Sequence, residues 1–191
     1  EITALRDEGD YRVVTIDGAE VKARAVLIAT GSDYTKLGIP GEAEYYGRGV
    51  NYCATCDGAF YRDKRLAVVG GGNSGVQEAL FLTRFASHID LLVRSTLKAS
   101  EVLQRELKQY VDQGKVTVHL QTVPLAIVAD ETGKVTHVDA MKADQPISFD
   151  IDGVFVFIGL KPNTQFLEGS GIAVDERGLI KTDEHLATNM T

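Results

Sequence analysis

Cys53-Ala54-Thr55-Cys56-Asp57 sets two thiols within reach of one small disulfide ring, with a carboxyl group beside them. Thiol–disulfide exchange passes through a mixed disulfide, so it needs one sulfur to attack and a second to resolve, which closely spaced cysteines provide. Asp57 is placed to protonate a departing thiolate, although Asp57-Gly58 also reads as an ordinary turn. A few residues on, Leu66-Ala67-Val68-Val69 runs into Gly70-Gly71-Gly72-Asn73-Ser74-Gly75. An apolar strand entering a Gly-x-Gly-x-x-Gly turn before a helix is the arrangement that seats a dinucleotide pyrophosphate. Gly70 permits the tight turn, Gly72 lets backbone approach the pyrophosphate, and Gly75 lets helix and strand pack closely. The free N–H groups at the helix start then face negative charge. Together the two segments imply electrons moving from a reduced dinucleotide to a disulfide. The competing reading of the second is a tight turn that holds no ligand.

The end of the next strand should record which nicotinamide is bound. An acidic residue there would take the ribose 2′-hydroxyl of NADH. The chain instead reads Val93-Arg94-Ser95-Thr96-Leu97-Lys98, and Asp90 falls too early, inside the strand. Arg94, helped by Ser95 or Lys98, suits a 2′-phosphate, which favours NADPH; a solvated arginine after a strand is the plainer alternative.

A chain of 191 residues, 44% hydrophobic and 25% charged, can bury a core as one large or two small domains. No apolar run approaches the roughly 20 residues of a membrane span, and the first residues do not have the layout of a signal peptide. A net charge of −7 argues against nucleic acid or an anionic membrane as partner. Cys53 and Cys56 are the only cysteines, too few for a disulfide framework, so a redox-active pair in a cytoplasmic setting is expected. Zinc would need two more ligands, and His88, His119, His137 and His185 are scattered without ligand spacing.

The elements that must position this chemistry follow from periodicity. Ile2 to Leu5, Arg12 to Ile16 and Ala19 to Ala23 alternate as short strands, and Ala25 to Ala29 is a continuous apolar run expected to be a strand buried on both faces. From Arg65 the pattern becomes strand and helix by turns. Leu66 to Val69 and Ile89 to Val93 read as strands around a helix burying Val76, Ala79, Leu80, Thr83 and Ala86. Ser100 is the expected N-cap of a second helix carrying Leu103, Leu107, Tyr110 and Val111 inward. Lys115 to Leu120 is a third strand, Leu125 to Ala129 and Val135 to Met141 form a hairpin, and Gly153 to Ile158 is another buried strand. The expected class is α/β: a Rossmann-like parallel sheet with an inserted β-meander.

These residues resemble the low-molecular-weight, bacterial-type thioredoxin reductases. Cys53-Ala54-Thr55-Cys56-Asp57-Gly58 carries the resemblance, with Val68 to Ser74, Glu78-Ala79-Leu80, Ala29-Thr30-Gly31, Asp152 to Gly159, and Pro162-Asn163-Thr164. It extends over nearly the whole chain. It implies that Cys53 attacks the thioredoxin disulfide, Cys56 faces a flavin and Asp57 protonates the departing thiolate. It also implies cofactor contacts at Gly70, Gly72, Asn73, Ser74, Gly75, Glu78, Arg94, Ser95, Lys98, Thr30, Gly31 and Gly159. Of the family's His-Arg-Arg-x-x-x-Arg phosphate site only Arg94 is kept, Val93, Ser95 and Ala99 standing at the other places. The family's FAD domain is discontinuous, and its own glycine fingerprint and C-terminal Gly-Asp segment have no counterpart here. The chain is therefore expected to be a piece of a longer flavoprotein, with residues 1–45 as partial FAD-domain strands and linker, 46–152 as the NADPH domain, and 153–191 as the end of that domain and the return toward the FAD domain.

The implied reaction is hydride transfer from NADPH to FAD, reduction of Cys53–Cys56, then exchange with thioredoxin or a thioredoxin-like protein. The implied parent is a homodimer whose NADPH domain rotates, flexing near Gly41 to Gly49 and Gly153. Two alternatives differ in kind: a peroxiredoxin-reducing flavoprotein or dithiol oxidase of the same fold, and a non-catalytic dinucleotide-binding module with structural thiols.

Overall fold

In the computed structural model, which describes residues 1–190, three strands come first: β1 (Ile2–Asp7), β2 (Arg12–Ile16) and β3 (Ala19–Ala23). Short strands β4 (Ser32–Tyr34) and β5 (Val50–Asn51) precede a one-turn helix α1 (Ala54–Asp57) and a 3₁₀ turn, Gly58–Tyr61. Then come β6 (Arg65–Val69), α2 (Asn73–Leu82), β7 (His88–Leu92), α3 (Glu101–Asp112) and β8 (Val116–His119). β9 (Thr122–Ala129), β10 (Val135–Lys142) and β11 (Gln145–Asp150) form an antiparallel meander, followed by β12 (Gly153–Val156) and β13 (Leu160–Pro162). Among the described residues no helix is long and apolar enough to cross a membrane.

The chain divides into two units, Tyr34–Gly159 and a second made of Glu1–Asp33 with the segment from Leu160 onward. The first is built on a parallel sheet in the order β5-β12-β6-β7-β8. Leu66-Ala67-Val68-Val69 is buried along its whole length because successive side chains point to opposite, covered faces. Leu66 and Val68 join Ile89, Leu91 and Phe155 under α2 and α3, while Ala67 and Val69 join Leu92, Val154 and Val156 under the meander's Ile127, Val138 and Phe149. Helix α2 buries Gly75, Val76, Ala79, Leu80 and Leu82, with Thr83 and Ala86 buried just beyond it. In the second unit β1, β2 and β3 make an antiparallel sheet, and Leu5 packs with Leu167 and Ile172.

Three expectations are corrected. Ala25 to Ala29 is not a strand: it has no ladder partner among the described residues, and Leu27 is 91% exposed. An apolar run becomes a two-face-buried strand only where neighbours pair with it on both sides. Val111 lies on the exposed side of α3, with Leu107 the buried residue of that helix. The hairpin of β9 and β10 gains a third strand, β11, through a turn at Ala143 and Asp144, both at positive φ. Glycine or asparagine usually marks such a turn, so its signal was missing. The compact units meet at 33/34 and 159/160. Leu37, Ile39 and Tyr45 pack on the meander-side core, which holds residues 34–45 with the parallel sheet. Glycine is required at Gly41 and Gly153 by close approach: a Cβ on Gly41 would overlap the Ile127 carbonyl, and one on Gly153 the Tyr61 ring.

Candidate functional site

Cys53 is the N-cap of α1, leaving β5 with an extended backbone. Its Sγ accepts the Cys56 N–H at 3.2 Å and lies 3.4 Å from Thr55 Oγ1. Cys53 and Cys56 are joined as a disulfide, their Cα atoms 5.3 Å apart. Cys53 is half-buried and Cys56 exposed; Asp57 is half-buried, its N–H donating to the Cys53 carbonyl at 3.2 Å. Gly58 follows because the chain there lies against the C-terminal end of α2: a Cβ would come within 2.9 Å of Leu82 and 3.3 Å of Phe85. Phe60, just beyond, is 82% exposed.

The other end of α2 is the glycine turn. Gly70 takes φ +145°, and a side chain there would overlap the Phe157 carbonyl; a Cβ on Gly75 would overlap Gly70 itself. Gly72 differs. It is the N-cap of α2, no side chain caps the helix, and a Cβ on it would meet nothing within 4 Å. The start of α2 therefore presents uncapped N–H groups beside open space, which is what a pyrophosphate requires. These residues fit a dinucleotide.

Around this turn the chain is laced together. Asn73 Oδ1 accepts the Ser100 N–H at 2.8 Å, and the Gly71 carbonyl accepts the Lys98 N–H at 2.7 Å. Arg94, Ser95 and Lys98 are exposed on the loop that follows β7, with Ser74 exposed at the start of α2. Ser100 stands at the N-cap position of α3 but makes no side-chain cap. Glu78 is half-buried on α2, and burial raises its carboxyl pKa. Thr30 and Gly31 belong to the other unit, where Thr30 Oγ1 donates to the Asn163 carbonyl at 2.7 Å and the Asn163 N–H to Gly31 at 3.0 Å. Gly159, at φ +124°, accepts the Thr35 N–H at 3.0 Å. The structure thus gathers the glycine turn, Glu78 and Arg94 to Lys98 on and around α2 and the sheet end beside it. The disulfide follows β5 of the same sheet, and Thr30 and Gly31 are held in the other unit.

Two polar clusters escaped the sequence reading. Asp90, 4% exposed within β7, accepts from His119 Nε2 at 2.9 Å and Arg65 Nη2 at 3.0 Å, with His88 Nε2 3.6 Å away. Lys142 Nζ lies 3.4 Å from His119 Nδ1. An ammonium only donates, so that contact leaves the His119 proton on Nε2, facing Asp90. Burial pushes the Asp90 carboxyl up, but the His119 hydrogen bond and the charges of His88 and Arg65 outweigh it, and the pKa ends below the usual value. The second cluster is Glu42, whose oxygens accept the Tyr52 hydroxyl and the N–H groups of Leu37 and Gly38, each at 2.7 Å. Burial raises its carboxyl too, and these donors with nearby Lys36 bring it net below the ordinary range. Strand pairing assembles the first cluster from residues far apart in the chain, whereas the second is closed by the local course of the loop from Leu37 to Tyr52.

The family model for pyridine nucleotide-disulphide oxidoreductases matches residues 1–191. The chain belongs to that family. This oxidoreductase chain is 42% identical over 194 aligned positions to a thioredoxin reductase of Bacillus subtilis (strain 168), covering 100% of itself and 60% of that protein. It is 40% identical over 177 positions to a thioredoxin reductase of Coxiella burnetii (strain RSA 493 / Nine Mile phase I), covering 92% of itself and 55% of that protein. Its fold is similar to the crystal structure of Lactococcus lactis thioredoxin reductase, with TM-score 0.84 and 38% identity over 99% of this chain and 62% of that one. The thioredoxin reductase structure from T. acidophilum gives TM-score 0.82 at 30% identity, over 98% and 61%. The chain therefore spans about three fifths of the length of the relatives it matches.

Proposed function

We propose that this chain is the dinucleotide- and dithiol-bearing part of a flavin-dependent disulfide reductase, which passes electrons from NADPH through FAD to Cys53–Cys56 and on to thioredoxin or a thioredoxin-like protein. One observation carries this: a single unit holds a Cys-x-x-Cys disulfide at one helix start and an open glycine turn at the start of the helix that α1 packs against. When bound, NADPH supplies a hydride and FAD relays its electron pair to the disulfide. Flavin binding is assigned to the remaining length of a longer parent, a cytoplasmic homodimer. The cofactor roles of Thr30, Gly31 and Gly159 rest on the family resemblance.

Within the chain, the start of α2 at Gly72 to Gly75 holds the pyrophosphate, Asn73 fixes α3 beside it, and Arg94 with Ser95 and Lys98 meets the 2′-phosphate. The electron pair breaks the Cys53–Cys56 bond and leaves two thiolates. The Cys56 N–H directed at Cys53 Sγ favours the thiolate there. Exposure favours Cys56 for the encounters with both flavin and partner, a different division from the one the resemblance implies. Cys56 attacks the partner disulfide and forms the mixed disulfide, and the Cys53 thiolate then attacks the Cys56 sulfur, remaking Cys53–Cys56. Asp57 supplies the proton that the departing partner thiolate takes up. Exposed Phe60 offers an apolar docking contact next to the sulfurs.

The test uses the full-length parent with oxidised thioredoxin on non-reducing gels. Cys53→Ser should accumulate a mixed disulfide through Cys56, and Cys56→Ser should accumulate none. Trapping by Cys56→Ser alone would assign the attack to Cys53. NADPH-driven thioredoxin reduction that survives loss of both cysteines would refute the electron path.

A further inference from the structure

Apart from the dithiol and the glycine turn, the unit Tyr34–Gly159 contains a cavity of about 470 Å³ lined by Lys36, Gly38, Ile39, Glu42, Tyr46 and Tyr52. That volume lies within the range of small-molecule sites. Tyr52 is 4% exposed; its ring stacks with Tyr34 at 5.5 Å between centroids and is flanked by Tyr46 at 5.6 Å. Lys36 Nζ stands 3.6 Å from the Tyr52 ring centroid and 5.3 Å from that of Tyr46.

What the cavity can recognise follows from which of its groups are already engaged. Glu42 is ionised, with Lys36 nearby, but its oxygens are taken up by the Tyr52 hydroxyl and the N–H groups of Leu37 and Gly38 and no ion pair within 4 Å joins it to Lys36, so it has little left to offer a guest. Lys36 has ring faces as its close neighbours, in cation–π contact. The remaining capacity is thus one ammonium, the face of Tyr46, which is 64% exposed, and the apolar surface of Ile39. A cationic guest meets repulsion from Lys36. A neutral one covers the ammonium with no counter-charge in contact with it, at a desolvation cost. A flat ring bearing one negative charge can stack on tyrosine and pair with Nζ at once. The single cation suits a monoanion better than a phosphate ester, which carries more charge.

We propose that this cavity is a binding site for a planar aromatic carboxylate, held by Lys36 and stacked on Tyr46, and distinct from the dinucleotide turn. The site does not depend on the electron path proposed above.

The experiment is a two-dimensional ¹⁵N–¹H NMR titration of the 191-residue chain with 2-naphthoate, repeated with the neutral 2-naphthamide. Saturable shifts at the amides of Leu37, Gly38, Ile39, Tyr46 and Tyr52 are expected, with the amide analogue about fivefold weaker, the ratio that roughly 1 kcal/mol represents. Lys36→Met should erase the difference between the two compounds, and Tyr46→Ala should weaken both. Because Lys36 and Tyr46 are exposed, both variants should keep the rest of the spectrum. Non-saturating shifts, shifts centred on other residues, equal affinity for acid and amide, or a preference for the acid that persists in Lys36→Met would each overturn the proposal.

Discussion

Two stretches of this chain look alike and end differently. Leu66-Ala67-Val68-Val69 runs into Gly70, and Val26-Leu27-Ile28-Ala29 runs into Thr30-Gly31. The first is a strand with Leu66 and Val68 fully buried; the second forms no strand and leaves Leu27 91% exposed. The difference lies in the neighbours. β6 has β12 on one side and β7 on the other, with helices and a meander over its faces. An apolar run states a demand for burial, and only the surrounding chain can meet it. The relatives' greater length supports the reading that a parent protein supplies what Val26 to Ala29 lacks here.

Core truncations sharpen that contrast most. Leu91→Ala in β7 removes a fully buried side chain and should cost about 2–5 kcal/mol, whereas Leu27→Ala should change stability by no more than about 0.5 kcal/mol. Urea unfolding of the two variants checks this. Equal losses would mean that Leu27 is covered in solution and that the two stretches do not differ as described.

Charge clusters extend the comparison. In the second unit Arg6, Glu8, Glu20 and Lys22 form an exposed network. Arg6→Gln should leave the unfolding midpoint unmoved within error, since exposed pairs contribute little. Asp90→Asn in the parallel-sheet unit should cost about 1–3 kcal/mol, because the buried partner of His119 and Arg65 loses its charge. The pH dependence has a definite sign. A carboxyl whose folded pKa is depressed contributes its stability above its unfolded value, about 3.9, and loses it as pH falls through the lower folded pKa. The stability gap between the unaltered chain and the Asp90→Asn variant should therefore hold near neutrality and shrink below about pH 4. A gap unchanged down to about pH 2 would contradict the depressed pKa.

A smaller effect concerns the loop after β7. Arg94→Ala should narrow the preference of the chain for NADPH over NADH by about five- to tenfold, or roughly 1–1.4 kcal/mol. Calorimetric titration of both dinucleotides measures it. Equal affinities in the unaltered chain would show that the exposed Arg94 side chain does not meet a 2′-phosphate.

The disulfide and the glycine turn were the most legible parts of the sequence, because they sit in contiguous motifs. The cysteine pair, the strand before Gly70 and the helix after it can all be read from local pattern. The α/β alternation from Arg65 was legible for the same reason, and so were the inward residues of α2. What escaped depends on partners distant in the chain or on the conformation of an irregular loop. Asp90 reads as a misplaced acid until β8 brings His119 to it, with Lys142 of the meander against the far side of that ring. Glu42 reads as part of a loop until Tyr52 and the Leu37 and Gly38 amides close on it. Residues 34–45 look like linker and yet contribute Leu37, Ile39 and Tyr45 to the core.

The central claim is that the start of α2 is a dinucleotide site that Gly72 keeps open. Gly72→Val tests it directly, because a Cβ there meets no atom within 4 Å and the residue's φ is −88°, allowed for any side chain. The variant should stay folded and lose no more than about 1–2 kcal/mol in urea unfolding, the cost of valine at an N-cap, while calorimetry shows NADPH binding in the unaltered chain and none in Gly72→Val. Undiminished NADPH binding by a folded Gly72→Val protein would contradict the account.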